Sequence, residues 1–375
     1  MEPFKNQFNV KTAQKISKAI LRSYSQFDTV SFLKGMDRGL APLELKRRVA
    51  FLAERMHQHL PIEMKKILPI LVKALKTNEQ DNIGLKQFEV WPLAHFISVY
   101  GLDEFDQSMD ALKEMTKVFT SEFAVRAFFI KDQTRTLDIF NKWAMEENEH
   151  VRRLVSEGSR PLLPWGQKLI MFAENPKLTW NILEKLKLDE SEYVRKSVAN
   201  HINDHSKNHP DFVIDKLMKW LKSSEKNKNK IQAENIQWII KHASRTLIKK
   251  GYPKAFVLHG VNQSVIELLK AEIKNSIIFL GHSLKVSISI KNASKKSAMV
   301  IIDHDMHLLK SNKSHSIKVF KGKKVLLNPQ EIKEIEFAIP LKEVTTRVYY
   351  EGIQYWNCKI NGVCHKPHSF TLKFK

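Results

Sequence analysis

The chain has 375 residues, enough for two domains, and 62 Lys and Arg stand against 40 Asp and Glu, a net charge of +22. That excess points to a polyanionic partner, nucleic acid ahead of a membrane surface. With two cysteines, Cys358 and Cys364, a disulfide scaffold is excluded, and with only His365 beside them no zinc site is expected.

The first residues, MEPFKNQFNVK, lack the apolar core of a signal peptide. No apolar run reaches the roughly 20 residues that cross a bilayer. A cytoplasmic protein near the nucleoid, with free thiols and no membrane partner, is expected. Residues 1 to about 255 read as helices, because apolar residues recur at spacings of three and four. Leu43, Leu45, Val49, Leu52 and Met56 form one stripe, and Ile67, Leu68, Ile70, Leu71 and Leu75 another. Pro69 falls inside the second stripe and predicts a helix start or a kink there.

Three segments look like copies of one unit: Val151–Val155, Val194–Val198 and Ile240–Ala243. Their spacing fits the roughly 40–47 residues of HEAT and armadillo repeats, in which neighbouring helix pairs bury each other's apolar faces. Stepping 100° per residue along the first copy gathers Val151, Leu154, Val155 and Gly158 on the core side. Arg153, Glu157 and Arg160 gather opposite them. The equivalent face of the second copy carries Lys196, Asn200 and Asn203, with Asp204 at its margin. The third presents His242, Thr246 and Lys249. Stacked, these residues would line one basic groove with a few carboxylates inside it. The plain alternative is a solvated face with intrahelical ion pairs.

Acids weaken phosphate binding, so carboxylates in a basic groove call for another reason. Breaking the bond from sugar C1′ to an alkylated base supplies one. A carboxylate stabilises the oxocarbenium-like sugar and orients the attacking water. The alkylated base is already cationic and leaves with little protonation. Trp165, after the first repeat helix, is either inter-repeat packing or a flat wall for a nucleotide. The tryptophans at 91, 143, 180, 220 and 238 are assigned to packing.

Beyond about residue 255 the pattern changes. Val286, Ile288 and Ile290 alternate with polar residues. Short patches follow at 300–302, at Ile317 and Val319, at Val325, and at Ile335, Phe337 and Ile339, with SFTLKF (369–374) as the last strand. Asn312, Gly322, Asn328 and Pro329 read as turns between them. A β-sandwich of about 100 residues is predicted. Residues 261–375 carry 19 Lys and Arg against 9 Asp and Glu, so this part is also expected to meet phosphate.

Several stretches resemble the AlkC branch of the AlkC/AlkD alkylpurine DNA glycosylases. They include Ala41–Lys46, Trp91–Leu93, Tyr100–Asp106, Thr120–Arg126, His150–Pro161, Ser191–Asn200 and Arg245–Lys249. The resemblance implies a mainly α fold, a HEAT-like-repeat α-solenoid over residues 1–255 followed by a small immunoglobulin-like β-sandwich over 262–375. It implies a monofunctional DNA N-glycosylase that hydrolyses 3-methyladenine and 3-methylcytosine from duplex DNA in base excision repair. The family's groove acids and tryptophan fall on Glu122, Glu157, Asp204 and Trp165, and its basic partners on Arg153 and Arg160. Lys196, Asn200, His242 and Lys249 are the candidate DNA contacts. No cofactor and no metal is implied, and the chain is expected to act as a monomer on alkylated double-stranded DNA. The alternative is a non-catalytic HEAT-repeat module that binds nucleic acid or protein.

Overall fold

The computed structural model describes residues 3–76, 84–261, 265–345 and 347–374. It holds seventeen α-helices followed by nine strands among those residues, and the helix-to-strand change falls between His259 and Ile266. Cα packing divides the chain into two compact units, Met1–Asn208 and His209–Lys375. The last helices therefore belong to the same unit as the strands. No described helix is long and apolar enough to cross a membrane.

Side-chain caps set many helix starts in the first unit. Asn9 accepts from Thr12 N, Asp132 from Arg135 N, and Asn148 from His150 N and Val151 N. Each satisfies a backbone N–H that a helix start leaves unpaired. The helix Glu149–Gly158 buries Val151, Leu154 and Val155 completely. It packs against the helix Glu192–His205, whose Val194, Val198 and Ile202 form the matching stripe. Arg152 and Asp189 clamp the pair, Nε to Oδ2 at 2.7 Å. Pro69 does not start the helix: it stands inside Met64–Ala74, where it removes one backbone N–H donor.

In the second unit the third repeat segment departs from the sequence reading. Its helix runs Lys230–Ala243, and Ser244, whose Oγ bonds back to Ile240 O at 2.7 Å, ends it. A separate helix, Arg245–Lys250, follows. Thr246 and Lys249 thus lie on a different helix from His242, and a single 100° step does not connect them. Trp238 is also no packing residue: it is more than a third exposed and stacks face to face on His242 at 5.0 Å.

The strands are β1 (Ile266–Ile273), β2 (Ile277–Phe279), β3 (Ser283–Asn292), β4 (Ala298–Leu309), β5 (His315–Leu327), β6 (Ile332–Pro340), β7 (Gly352–Ile360), β8 (Val363–Cys364) and β9 (His368–Lys373). One sheet has the order β1-β3-β6 and the other β2-β9-β7-β4-β5, with β8 on β7. All pairs are antiparallel except β2 with β9. Leu284, Val286, Ile288 and Ile290 from the first sheet share a core with Val300, Ile302, Trp356 and Phe370 from the second. Two sheets closing on one apolar layer make a sandwich. Trp356 donates its indole N–H to His304 Nδ1 at 3.1 Å, and burial pushes that imidazole down to about 4, so it accepts as the neutral ring.

Gly322 is not a turn. It sits inside β5 at a bulge, where Gly322 and Lys323 lie opposite Ile302 alone. A Cβ there would run into the Ile302 carbonyl oxygen and lie 2.9 Å from His304 Nε2. Gly322→Ala is expected to destabilise the second unit by about 1–3 kcal/mol, because backbone must move. Thermal unfolding checks it, and an unchanged midpoint would mean that the bulge relaxes freely.

Candidate active site

The site is built on three segments of the first unit. The turn before the helix Val125–Lys131 supplies Thr120 and Glu122, and Ser121 pins that turn by donating to Leu112 O at 2.9 Å. The helix Glu149–Gly158 and its exit supply Arg153, Glu157 and Arg160. The helix Glu192–His205 supplies Tyr193, Ser197 and Asp204.

These side chains form one continuous network. Thr120 Oγ1 donates to Glu122 Oε2 at 2.9 Å, and Arg153 Nη1 donates to the same oxygen at 2.6 Å. Arg153 Nη2 lies 3.6 Å from Glu157 Oε1, and its guanidinium stacks on the Tyr193 ring at 4.9 Å. Arg160 joins two acids, with Nη1 to Glu157 Oε1 at 2.6 Å and Nε to Asp204 Oδ2 at 2.9 Å. Ser197 Oγ donates to the second oxygen of Glu157 at 2.6 Å, and Lys207 Nζ to Asp204 Oδ1 at 2.9 Å.

Glu122 is 8% exposed, Glu157 6%, Arg160 7% and Asp204 2%, so this is no solvated face. The local pairs expected of such a face, Glu157 with Arg153 and with Arg160, are present, but Arg153 with Glu122, Arg160 with Asp204 and Ser197 with Glu157 join separate segments. Burial of three carboxylates is tolerable because each meets a cation or hydroxyl donor. Burial pulls on the Arg153 and Arg160 guanidiniums too, yet the surrounding acids outweigh it and hold both above the ordinary arginine value. Arg126 lies fully buried behind the network, donating to Gly158 O at 2.9 Å and Gln167 O at 2.5 Å. Burial and the Arg160 charge push it down to about 10.

A cleft of about 350 Å³ opens onto the network, with Glu122, Glu157 and Arg160 in its wall. Phe88, Trp91, Phe123 and Leu163 line the apolar part, Trp91 and Phe123 being stacked at 5.0 Å. Trp165 stands at this cleft and is 59% exposed. Its φ of +64° is left-handed, rare for a bulky residue and a form of strain that clusters at ligand sites. Lys46 Nζ holds the Trp165 carbonyl, and the Phe4 ring meets the indole edge-on at 6.3 Å.

The structure thus joins Glu122, Arg153, Glu157, Arg160 and Asp204, and sets Trp165 beside them. Lys196 is exposed on the helix that carries Asp204 but outside the network, and Asn200 is half-buried there. His242 and Lys249 belong to the second unit. Thr120, Tyr193, Ser197, Lys207 and Arg126 were not singled out as site residues from sequence. The helical step held a signal for Ser197, which lies seven residues before Asp204 and so on the same face.

Residues 97–267 match the family model described as DNA alkylation repair enzyme, and residues 267–374 match that of the YhaZ C-terminal Ig-like domain. The chain is 34% identical over 364 residues to the Uncharacterized protein YhaZ of Bacillus subtilis (strain 168), covering 96% of this chain and 97% of that one. It belongs to the DNA alkylation repair enzyme family. The fold of this alkylation repair enzyme superimposes with a TM-score of 0.86 on the Pseudomonas fluorescens alkylpurine DNA glycosylase AlkC, solved bound to DNA containing an abasic site analogue. Identity there is 33%, over 99% of this chain and 100% of that one. The mainly α architecture with an immunoglobulin-like C-terminal domain is therefore the family's own, as the sequence led one to expect.

Proposed function

We propose that this DNA glycosylase hydrolyses the N-glycosidic bond of cationic alkylated bases, 3-methyladenine and 3-methylcytosine, in duplex DNA. The observation that carries the reading is a buried acid–arginine network opening on a cleft beside an exposed, strained tryptophan. A pre-formed array of carboxylates favours positive charge developing on the sugar, and costs no reorganisation as the bond breaks. In this reading one of Glu122, Glu157 and Asp204 stabilises the sugar cation and orients water. Arg153 and Arg160 hold those acids in place, and Trp165 offers a face to the nucleotide. The route is hydrolytic, with no cofactor and no covalent enzyme–DNA adduct.

We assign this chemistry to the helical residues 1–255. Lys196, Asn200, His242 and Lys249, with the β domain (262–375), contact the duplex, and the chain acts as a monomer on nucleoid DNA in the cytoplasm. The net charge of +22 supports a polyanionic substrate.

The test is incubation of the full chain with duplex and single-stranded DNA carrying each lesion, followed by detection of free base. Release of both bases from the duplex is expected. Release of neither, with DNA still bound, would favour the non-catalytic module. Preference for single strands would remove the duplex half of the reading.

A further inference from the structure

The second unit contains a cleft that the base chemistry does not use. It encloses about 500 Å³ where the ends of the helices Lys230–Ala243 and Arg245–Lys250 meet β4 and β5. Lys241, Arg245, Lys249, Lys321, Lys323 and Lys324 line it, against one acid, Asp303. The ammonium groups of Lys241, Lys249 and Lys321 have no hydrogen-bond or ion-pair partner among the described residues. Asp303 is the acid that offsets them in the lining: it is buried and accepts from Gly322 N at 3.3 Å, and burial pushes its carboxyl up while the Lys359 and Lys321 charges pull it down.

Like charges are crowded here. Lys324 donates to His259 O at 3.0 Å, and partial burial and then the Lys241 charge push its ammonium down. His259, bonded through Nε2 to Ser244 Oγ at 2.9 Å, is pushed down to about 4 by burial and by Lys324 and Lys241. Its ring is therefore neutral at physiological pH and adds no further repulsion. A concave site that gathers six cationic side chains around one carboxylate stores repulsion, which a bound anion relieves. The flat guanidinium of Arg245 and the point charges of the lysines suit a phosphoryl group's several oxygens.

We infer that this cleft is a phosphate-binding site, which takes either a phosphodiester of a nucleic-acid strand or a free phosphate. The strand source rests on the duplex-binding reading above, but the phosphate chemistry does not.

The experiment compares the full chain with the double variant Lys241→Gln, Lys324→Gln. Thermal unfolding is followed with sodium pyrophosphate against sodium chloride at equal ionic strength, and affinity is measured for an undamaged duplex. Pyrophosphate raising the midpoint of the native chain but not of the variant would establish a free phosphate as ligand. No such shift, with duplex affinity about tenfold weaker in the variant, would establish the phosphodiester. Neither effect would overturn the site. Release of 3-methyladenine is followed in both proteins as a separate readout. Failure of base release in both would count against the glycosylase reading and leave the pyrophosphate result standing.

Discussion

Glu157→Gln is expected to lower single-turnover release of 3-methyladenine by about 10²–10³-fold, the usual cost of losing one transition-state electrostatic contact. Glu157 is the strongest of three candidates by position: it lines the cleft, lies between Arg153 and Arg160, and is oriented by Ser197 through its second oxygen. The amide keeps the shape and removes the charge. The fold should survive, because Arg153 retains Glu122 and Arg160 retains Asp204. Duplex affinity should hold or rise, since a negative charge has left a protein that binds a polyanion. Glu122→Gln and Asp204→Asn belong in the same experiment. Glu122 also reaches the cleft, whereas Asp204 is more deeply buried and does not line it. A large loss in Asp204→Asn with affinity intact would move the catalytic role inward. Full activity in all three would remove carboxylate catalysis, and borohydride trapping of a protein–DNA adduct would point to a lysine route.

The architecture was more legible in the sequence than the site. The stripe Val151, Leu154, Val155 and its copy at Val194 and Val198 placed two packed helices, because periodicity reports directly which side is apolar. Periodicity reports nothing about what covers the polar side. Arg153, Glu157 and Arg160 were read as one face, but their burial depends on Thr120, Glu122 and Tyr193, brought in from distant segments. The left-handed backbone at Trp165 has no local signal, since the conformation is imposed by its surroundings rather than favoured by tryptophan. Within the sandwich, β1 (IELLKAEI) escaped notice because Glu, Leu, Lys and Ala are helix formers. Its pairing with β3 overrides that propensity, as sheet context commonly does.

The network's dependence on Arg160 leads to the second large effect. Arg160→Met is expected to destabilise the first unit by about 3–5 kcal/mol, the range for breaking a buried ion pair from one side. The guanidinium is 7% exposed and bridges Glu157 and Asp204, which are buried as deeply. Removing it leaves Glu157 with Ser197 and a longer contact to Arg153, and Asp204 with Lys207 among the described residues. Asp204, 2% exposed and away from the cleft, cannot recover its lost hydration where it stands. For a unit of about 200 residues the loss corresponds to a melting point lower by roughly 6–20 °C. Arg160→Met combined with Asp204→Leu should restore part of that stability, because the uncompensated charge leaves together with its partner. It should not restore base release, for one of the network's acids is gone. Calorimetry on the single and double variants decides the matter. A single variant within about 2 °C of the native chain would mean that water or Lys207 already compensates Asp204. Additivity of the two substitutions would mean that the bridge seen at 2.9 Å carries no coupling energy.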